Sequence, residues 1–232
     1  MRDTGTVSSE EEKRRAGRAA AQLVESHMCV GLGTGSTAKH AISELGRRLR
    51  AGEVSGVTGV ATSTATAALA DEVGVPMVEL GAAPIDVAID GADEIAPDLS
   101  LIKGAGGALL REKIVATAAK TFVVVADASK LVDTLGTTHP VPVEIAPFGY
   151  RATMALLGEL GDADVRTSDD GVVTTDNGNM IADVRVHNLL DPSRFDQTLL
   201  AIPGVLATGL FCDIAAVALV ADGETVNVLR VD

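Results

Sequence analysis

Tryptophan is absent from the chain, tyrosine occurs once (Tyr150) and phenylalanine four times, so aromatics make up 2% of its 232 residues. That excludes stacking on bases or sugar rings as the basis of recognition, which must rest on hydrogen bonds and charge. Positive charge is also short: 19 Lys and Arg stand against 32 Asp and Glu, a formal net charge of −13. Such a chain repels phosphate backbones and anionic membrane surfaces, so neither nucleic acid nor a membrane is an expected partner. A phosphorylated ligand would need an anion site built locally, from backbone N–H groups and a few lysines. The two cysteines, Cys29 and Cys212, both lie in apolar surroundings. They fit buried free thiols better than a disulfide scaffold or a cysteine metal cluster. The N-terminal MRDTGTVSSEEEKRR contains no apolar stretch of signal-peptide type. Residues 199–220 carry a single charge, Asp213, but Pro203, Gly204 and Gly209 punctuate them, which suits two buried strands and a connection better than a membrane helix. A soluble cytoplasmic protein is expected.

What is present is an alternating pattern. A Ser9-Glu10-Glu11-Glu12 capping box opens a helix carrying Ala16, Ala20, Leu23 and Val24 at helical spacing. Strands are predicted at 28–32, 57–61, 76–80, 87–89, 99–102 and 122–126. Helices are predicted from Ser36 or Thr37 to about Arg48, and at 64–73 and 108–120. Alternation of this kind predicts a parallel sheet covered on both faces, with ligands bound beyond the carboxyl ends of its strands. The loops 33–37, 90–94 and 103–107 all follow predicted strands and are expected on one rim. From about Leu135 the texture changes: residues 137–142 read as a linker because of Pro140 and Pro142. Beyond it, strands at 172–175 and 180–184 flank an Asp176-Asn177-Gly178-Asn179 hairpin signal, accompanied by helices at 154–160 and 192–200. The division expected is an α/β domain of 1–135 and 208–232, its last strands returning to the first sheet, and a small α+β domain of 136–207.

Three loops carry chemistry. In Gly31-Leu32-Gly33-Thr34-Gly35-Ser36-Thr37 the glycines allow a tight strand-to-helix turn, and the hydroxyls of Thr34, Ser36 and Thr37 flank a helix N-terminus that suits an anion. Ser36 stands where a dinucleotide fingerprint requires its third glycine, and the GK[ST] ending of a P-loop is missing. The segment is therefore either a structural turn or a phosphate or sugar cradle. Asp90, Asp93 and Glu94 cluster at the end of the apolar DVAID run; they are either a solvated acidic turn or carboxylates positioned for sugar hydroxyls and acid–base work, and no histidine or further acid supports a metal site there. Lys103, with Gly104, Ala105, Gly106 and Gly107, places a cation beside backbone N–H groups, as an oxyanion site needs, or is a surface lysine on a flexible loop. With Leu110, Ile114, Val115 and Ala118 as the buried stripe of the next helix, Glu112 falls off it toward the loop, where it suits a general base. Lys130 follows the Val-rich strand. The four histidines, His27, His40, His139 and His187, are scattered and suggest no catalytic arrangement.

Together GLGTGST (31–37), IDGADEI (89–95), IKGAGGALLREKI (102–114), ADASK (126–130), DNGN (176–179) and IPGVLATGLF (202–211) resemble the type A ribose-5-phosphate isomerases, in family order over nearly the whole chain. Ala105 departs from the pattern, standing where the family's loop usually has another glycine. The resemblance implies a Rossmann-like α/β domain with a smaller α+β domain, in a homodimer or homotetramer. It implies metal-independent, cofactor-free interconversion of D-ribose 5-phosphate and D-ribulose 5-phosphate through a cis-enediolate, a step of the non-oxidative pentose phosphate pathway. By it, Glu112 is the proton-transferring base, and Lys103 with the N–H groups of Gly104, Ala105 and Gly106 forms the oxyanion site. Asp90 and Asp93, with Gly91 and Ala92 between them, bind hydroxyls and assist ring opening. Thr34, Gly35, Ser36, Thr37 and Lys130 complete the substrate contacts.

Overall fold

The computed structural model describes residues 8–186 and 189–230; His187 lies outside them. In chain order the first half contains α1 (Ser9–Ala21), β1 (Cys29–Leu32), α2 (Ala38–Arg50), β2 (Thr58–Ala61), α3 (Thr64–Val73), β3 (Ile85–Gly91), β4 (Glu94–Ile95), β5 (Leu101–Ile102), α4 (Leu109–Ala118) and β6 (Ala119–Asp127). A 3-10 turn, Ala128–Lys130, follows. The second half contains β7 (Val141–Ile145), α5 (Tyr150–Leu157), β8 (Asp162–Val165), β9 (Thr167–Ser168), β10 (Gly171–Val172) and β11 (Met180–Arg185). It ends with α6 (Pro192–Leu200), β12 (Val205–Thr208), β13 (Leu210–Phe211), β14 (Val217–Asp222) and β15 (Thr225–Leu229).

Two compact units share these elements. The first comprises the chain up to Gly91, Val115–Lys130 and the chain from Ala215; the second comprises Ala92–Ile114 and Leu131–Ile214. The second unit is thus larger than the 136–207 segment read from the sequence, because it also takes in 92–114, 131–135 and 208–214.

In the first unit six strands pair in the order β15-β14-β6-β3-β1-β2, all parallel except β15. The strands are short apolar runs because both faces are covered. Val30, Leu32, Val87, Ile89, Val123, Val125 and Leu219 face one way, onto Ala16, Ala20, Ala41, Ile42, Leu45 and Ala70 of the first three helices. On the other face Gly31 leaves room for α4: a Cβ there would lie 2.6 Å from a methyl of Val115. Helix α1 starts one residue earlier than the capping box suggests, since it is the Ser8 hydroxyl that accepts the Glu11 N–H. The predicted strand at 76–80 is reduced to a single bridge, Gly59 to Met77. Pro76 contributes only its carbonyl, which accepts the Gly59 N–H at 2.8 Å, and it has no N–H with which to extend a ladder.

The second unit holds a four-stranded sheet ordered β12-β7-β11-β8, a small antiparallel sheet ordered β13-β5-β4, and the β9–β10 pair. Its own core is built on Val141, Val143, Ile145, Leu157, Ala182, Val184, Leu199 and Leu210. Several expectations change here. Of residues 99–102 only 101–102 form a strand, and with 210–211 they do not join the parallel sheet but pair with each other, Leu210 with Ile102 and Phe211 with Leu101. The last two residues of the expected linker, Val141 and Pro142, open strand β7, which lies between β11 and β12 with Pro142 opposite Asp183. N–H and C=O of one strand residue point to the same side, and the Pro142 carbonyl accepts from Gly209. The proline nitrogen therefore faces a point beyond Thr208, where the β12 ladder has ended. The hairpin around Asp176–Asn179 shrinks to one bridge, Thr174 to Met180, while β11 takes β7 and β8 as its partners. Both cysteines are free, Cys29 buried and Cys212 half-buried. Among the described residues no helix is long and apolar enough to cross a membrane.

Candidate functional site

The carboxyl edge of the parallel sheet gathers one group of predicted residues. Asp90 is the penultimate residue of β3, and β3 lies beside β1, whose outgoing loop is 33–37. The Asp90 side chain is only 3% exposed. Its Oδ1 accepts the N–H of Thr34 at 3.0 Å and that of Gly91 at 2.7 Å, so the carboxylate ties the end of β3 to the glycine loop. Gly33 is what lets it in: a Cβ on Gly33 would lie 2.2 Å from that oxygen. The glycine motif thus has separate causes, Gly31 for helix packing and Gly33 for a carboxylate, while Gly35 turns the chain at φ +121°.

The hydroxyls of this loop do not behave alike. Thr34 turns its Oγ1 into a hydroxyl cluster, 2.7 Å from Thr62, 2.8 Å from Ser63 and 3.1 Å from Thr66. Thr37 is the residue preceding α2, but its side chain makes no cap bond; Gly35 and Ser36 are exposed. A pocket of about 150 Å³ opens here, lined by Gly33, Thr34, Gly35, Lys39, Thr66 and Leu69 among others. Sequence reasoning missed Lys39, Thr62, Ser63 and Thr66. The available signal was four hydroxyl residues in TSTAT directly after β2, on the same carboxyl edge. Lys130 closes the 3-10 turn after β6, the other neighbour of β3, and is half-buried.

The second group, Ala92, Asp93, Lys103, Gly104, Ala105, Gly106 and Glu112, belongs to the second unit. Asp93 precedes β4 and Lys103 follows β5, and the two strands pair antiparallel; the Asp93 N–H donates to the Ile102 carbonyl at 2.8 Å. Asp93 accepts the Ala105 N–H at 2.9 Å through Oδ2. Lys103 is not a surface lysine: it is 2% exposed, and its ammonium stands 3.3 Å from the Glu112 carboxylate and 5.4 Å from the centre of the Phe211 ring. Glu112, in the first turn of α4, is itself buried at 4% exposure. This corrects the expected stripe. The buried residues of α4 are Leu109, Glu112, Val115 and Ala116, whereas Ile114 is exposed. The departure at Ala105 is harmless to the backbone: among the described residues positive φ is confined, outside glycine, to His27, Leu99 and Asp213.

Neighbouring charges have structural work. Glu94, fully buried, accepts N–H bonds from Gly136, Thr138 and His139 and the Thr138 hydroxyl, which pins residues 136–139. Burial alone would raise its carboxyl, but these donors outweigh burial and hold it below the usual glutamate range. Asp98 accepts from the Ser100 N–H and hydroxyl and shapes the β4–β5 turn. Lys113 donates to the Thr208 hydroxyl and the Leu210 carbonyl, lies 3.6 Å from Asp196 and 5.0 Å from the Phe211 ring, and burial pushes its ammonium below the usual lysine value. Among the described residues no group of three or more His, Cys, Asp and Glu side chains is placed to hold a metal ion.

A buried lysine–glutamate pair beside a glycine-rich loop provides a proton acceptor and a cation able to balance an oxyanion. Comparison with known proteins gives this chemistry a family. Residues 58–225 match the profile of ribose 5-phosphate isomerase A (phosphoriboisomerase A). The chain is 47% identical to the ribose-5-phosphate isomerase A of Deinococcus radiodurans over 94% of its own length and 96% of the relative's. It is 48% identical to that of Thermosynechococcus vestitus, over 93% and 92%. Among solved structures, a D-ribose-5-phosphate isomerase in complex with phospho-erythronic acid superposes with a TM-score of 0.94 at 42% identity, covering 97% of this chain and all of the other. The ribose 5-phosphate isomerase A of Methanocaldococcus jannaschii gives 0.92 at 42% identity, over 96% of this chain and 100% of the other. The chain belongs to the ribose 5-phosphate isomerase A family of enzymes.

Proposed function

We propose that the chain interconverts D-ribose 5-phosphate and D-ribulose 5-phosphate, with Glu112 moving the proton. The observation that carries this reading is the Lys103–Glu112 pair, both members buried and 3.3 Å apart. Buried charges persist only when paired, and an acceptor facing a cation in a dry site is what enolisation requires. The open-chain aldose loses its C2 proton to the Glu112 carboxylate. The C–H electron pair becomes the C1=C2 double bond and the carbonyl pair moves to O1, giving a cis-enediolate. Glu112 returns the proton to C1 while the O2 hydroxyl proton passes to O1, leaving a ketone at C2. C2 is oxidised and C1 reduced within one molecule, so the balance needs no external redox partner.

In this reading Lys103 and the amides of the 104–106 loop stabilise the charge on the oxygens. Asp90 and Asp93 take sugar hydroxyls and assist ring opening; Thr34, Gly35, Ser36, Thr37 and Lys130 complete the substrate contacts, the glycine loop serving as the phosphate anchor. Proton transfer by a positioned base supplies about 10²–10⁴-fold, so oxyanion stabilisation and positioning carry the remainder. Phospho-erythronic acid, the ligand of the solved relative, supports the assignment, since its carboxylate offers the two coplanar oxygens of an enediolate on a phosphorylated chain. We place the enzyme in the cytoplasm, as a homodimer or homotetramer. A coupled assay with ribose 5-phosphate in EDTA should show turnover. Glu112→Gln should abolish it while calorimetry shows phospho-erythronic acid still bound. A wild-type protein without turnover, or a Glu112→Gln variant at near-normal rate, would sink the reading.

A further inference from the structure

The loop after Lys103 is closed by one bond of its own, the Gly107 N–H to the Gly104 carbonyl at 3.0 Å, with Gly104 and Gly107 both at positive φ, +111° and +81°. Two side chains from elsewhere in the second unit hold it further. Asp93 takes the Ala105 N–H. Arg166, between β8 and β9, donates one terminal nitrogen to the carbonyl oxygens of both Gly104, at 2.7 Å, and Ala105, at 3.1 Å. The rest of its guanidinium forms a two-pronged pair with Asp183 on β11, Nε to Oδ2 at 2.8 Å and the second terminal nitrogen to Oδ1. Its backbone is tied as well: its N–H donates to Ile181 and its carbonyl accepts from Val173, at 2.8 and 3.0 Å. Arg166 is thus fixed at both ends, and its head is mostly buried.

A trans peptide sets its C=O and N–H antiparallel. Holding the Gly104 and Ala105 carbonyls on Arg166 therefore turns the N–H groups of Ala105 and Gly106 away from it. The Ala105 N–H does point elsewhere, to Asp93. We propose that Arg166, oriented by Asp183, is a positioning residue for the isomerisation: it sets the direction of the loop amides beside Lys103 on which the enediolate oxygens depend. This rests on the function proposed above. Arginine is required because its planar fork meets a carboxylate and carbonyls at once, whereas lysine is a point donor.

The test uses the full chain with Arg166→Met, Arg166→Lys and Asp183→Asn. Steady-state kinetics with ribose 5-phosphate, inhibition by phospho-erythronic acid, and thermal melts by circular dichroism are the readouts. Loss of one oxyanion donor lowers kcat by about 10²–10³-fold. Misdirecting the loop should therefore cost Arg166→Met at least about tenfold in kcat, with KM within about threefold and phospho-erythronic acid weakened in proportion to kcat/KM. Arg166→Lys should restore only a small part, and Asp183→Asn should fall between. Should Arg166→Met fail to fold, the other two, which keep a cation or the side-chain shape, carry the test. A folded Arg166→Lys or Asp183→Asn that melts earlier yet keeps kcat within about threefold makes the contact a stabilising clip and overturns the proposal, as does a loss confined to KM. An inactive wild-type protein overturns the functional reading and this proposal with it; an active wild-type protein with fully active variants overturns this proposal alone.

Discussion

Replacing Gly33 by alanine should be among the most damaging single-methyl additions in the chain. The new Cβ would meet Asp90 at 2.2 Å from Oδ1, 2.3 Å from Cγ and 2.5 Å from Cβ. Because the Asp90 Cβ is itself too close, no rotation of that side chain relieves the collision, and the end of β3 or the loop must move. Movement breaks the bonds from Thr34 N–H and Gly91 N–H to a buried carboxylate. At about 1.5–3 kcal/mol for each hydrogen bond to a charged group, the two together come to about 3–6 kcal/mol. For a domain of this size about 2–4 °C is lost per kcal/mol, so the melting temperature should drop by roughly 6–24 °C. The chain has no tryptophan, so far-UV circular dichroism is the natural probe. Gly35→Ala is the control. Nothing lies within 4 Å of its Cβ position, and only the φ of +121° opposes a side chain, a cost of about 1–3 kcal/mol. If Gly33→Ala melts within about 2 °C of wild type, or Gly35→Ala proves the more damaging, the account of Gly33 as a berth for Asp90 is wrong.

Other consequences are as direct. Lys103→Ala should lower kcat by about 10²–10³-fold and raise KM far less; steady-state kinetics showing the reverse would make Lys103 a ground-state anchor. Glu94 has a depressed carboxyl in the folded state, so its contribution is fully present above the usual glutamate range and is lost as pH falls through the folded value. Urea unfolding should show Glu94→Gln less stable by about 1–3 kcal/mol at pH 7, with the gap closing in acid; a gap independent of pH would exclude this linkage. Gly209→Ala would put a Cβ 2.1 Å from the Lys103 carbonyl and 2.6 Å from Pro142, so it should lower both thermal stability and turnover. A variant that melts and turns over like wild type would show that the crossing beneath Lys103 is not tight.

The parallel sheet was legible because its strands are short apolar runs between turn signals, and its helices because their apolar spacing agreed with their caps. The second unit was harder. Pro142 sits inside β7 at the place where its missing N–H has no strand to meet, a matter of pairing that no local rule carries. Residues 99–102 looked like another parallel strand because two buried residues read the same in any sheet. On α4, apolar periodicity offered Leu110 and Ile114 as the inner face; the true face contains Glu112, which hydrophobic patterning cannot place inside. The residue types of the candidate site were visible as motifs, but the pairing of Lys103 with Glu112 came from the fold. Arg166 could not have been found, since its contacts span about sixty positions and a lone arginine carries no signal.

The burial of Lys103 also bears on how this protein meets electrophiles. Lys39 and Lys120 are exposed, and Lys120 is the more open of the two. Lys103 is sealed, with its amine held against a carboxylate and an aromatic face. Acylating reagents, sugars that glycate amines and enzymes that acetylate lysine all need an accessible nitrogen lone pair. They will exhaust the outer lysines first, and each acylation removes one positive charge from a chain already at −13 while leaving the inner amine intact. Counting modified lysines would then report on the outer amines and say little about Lys103.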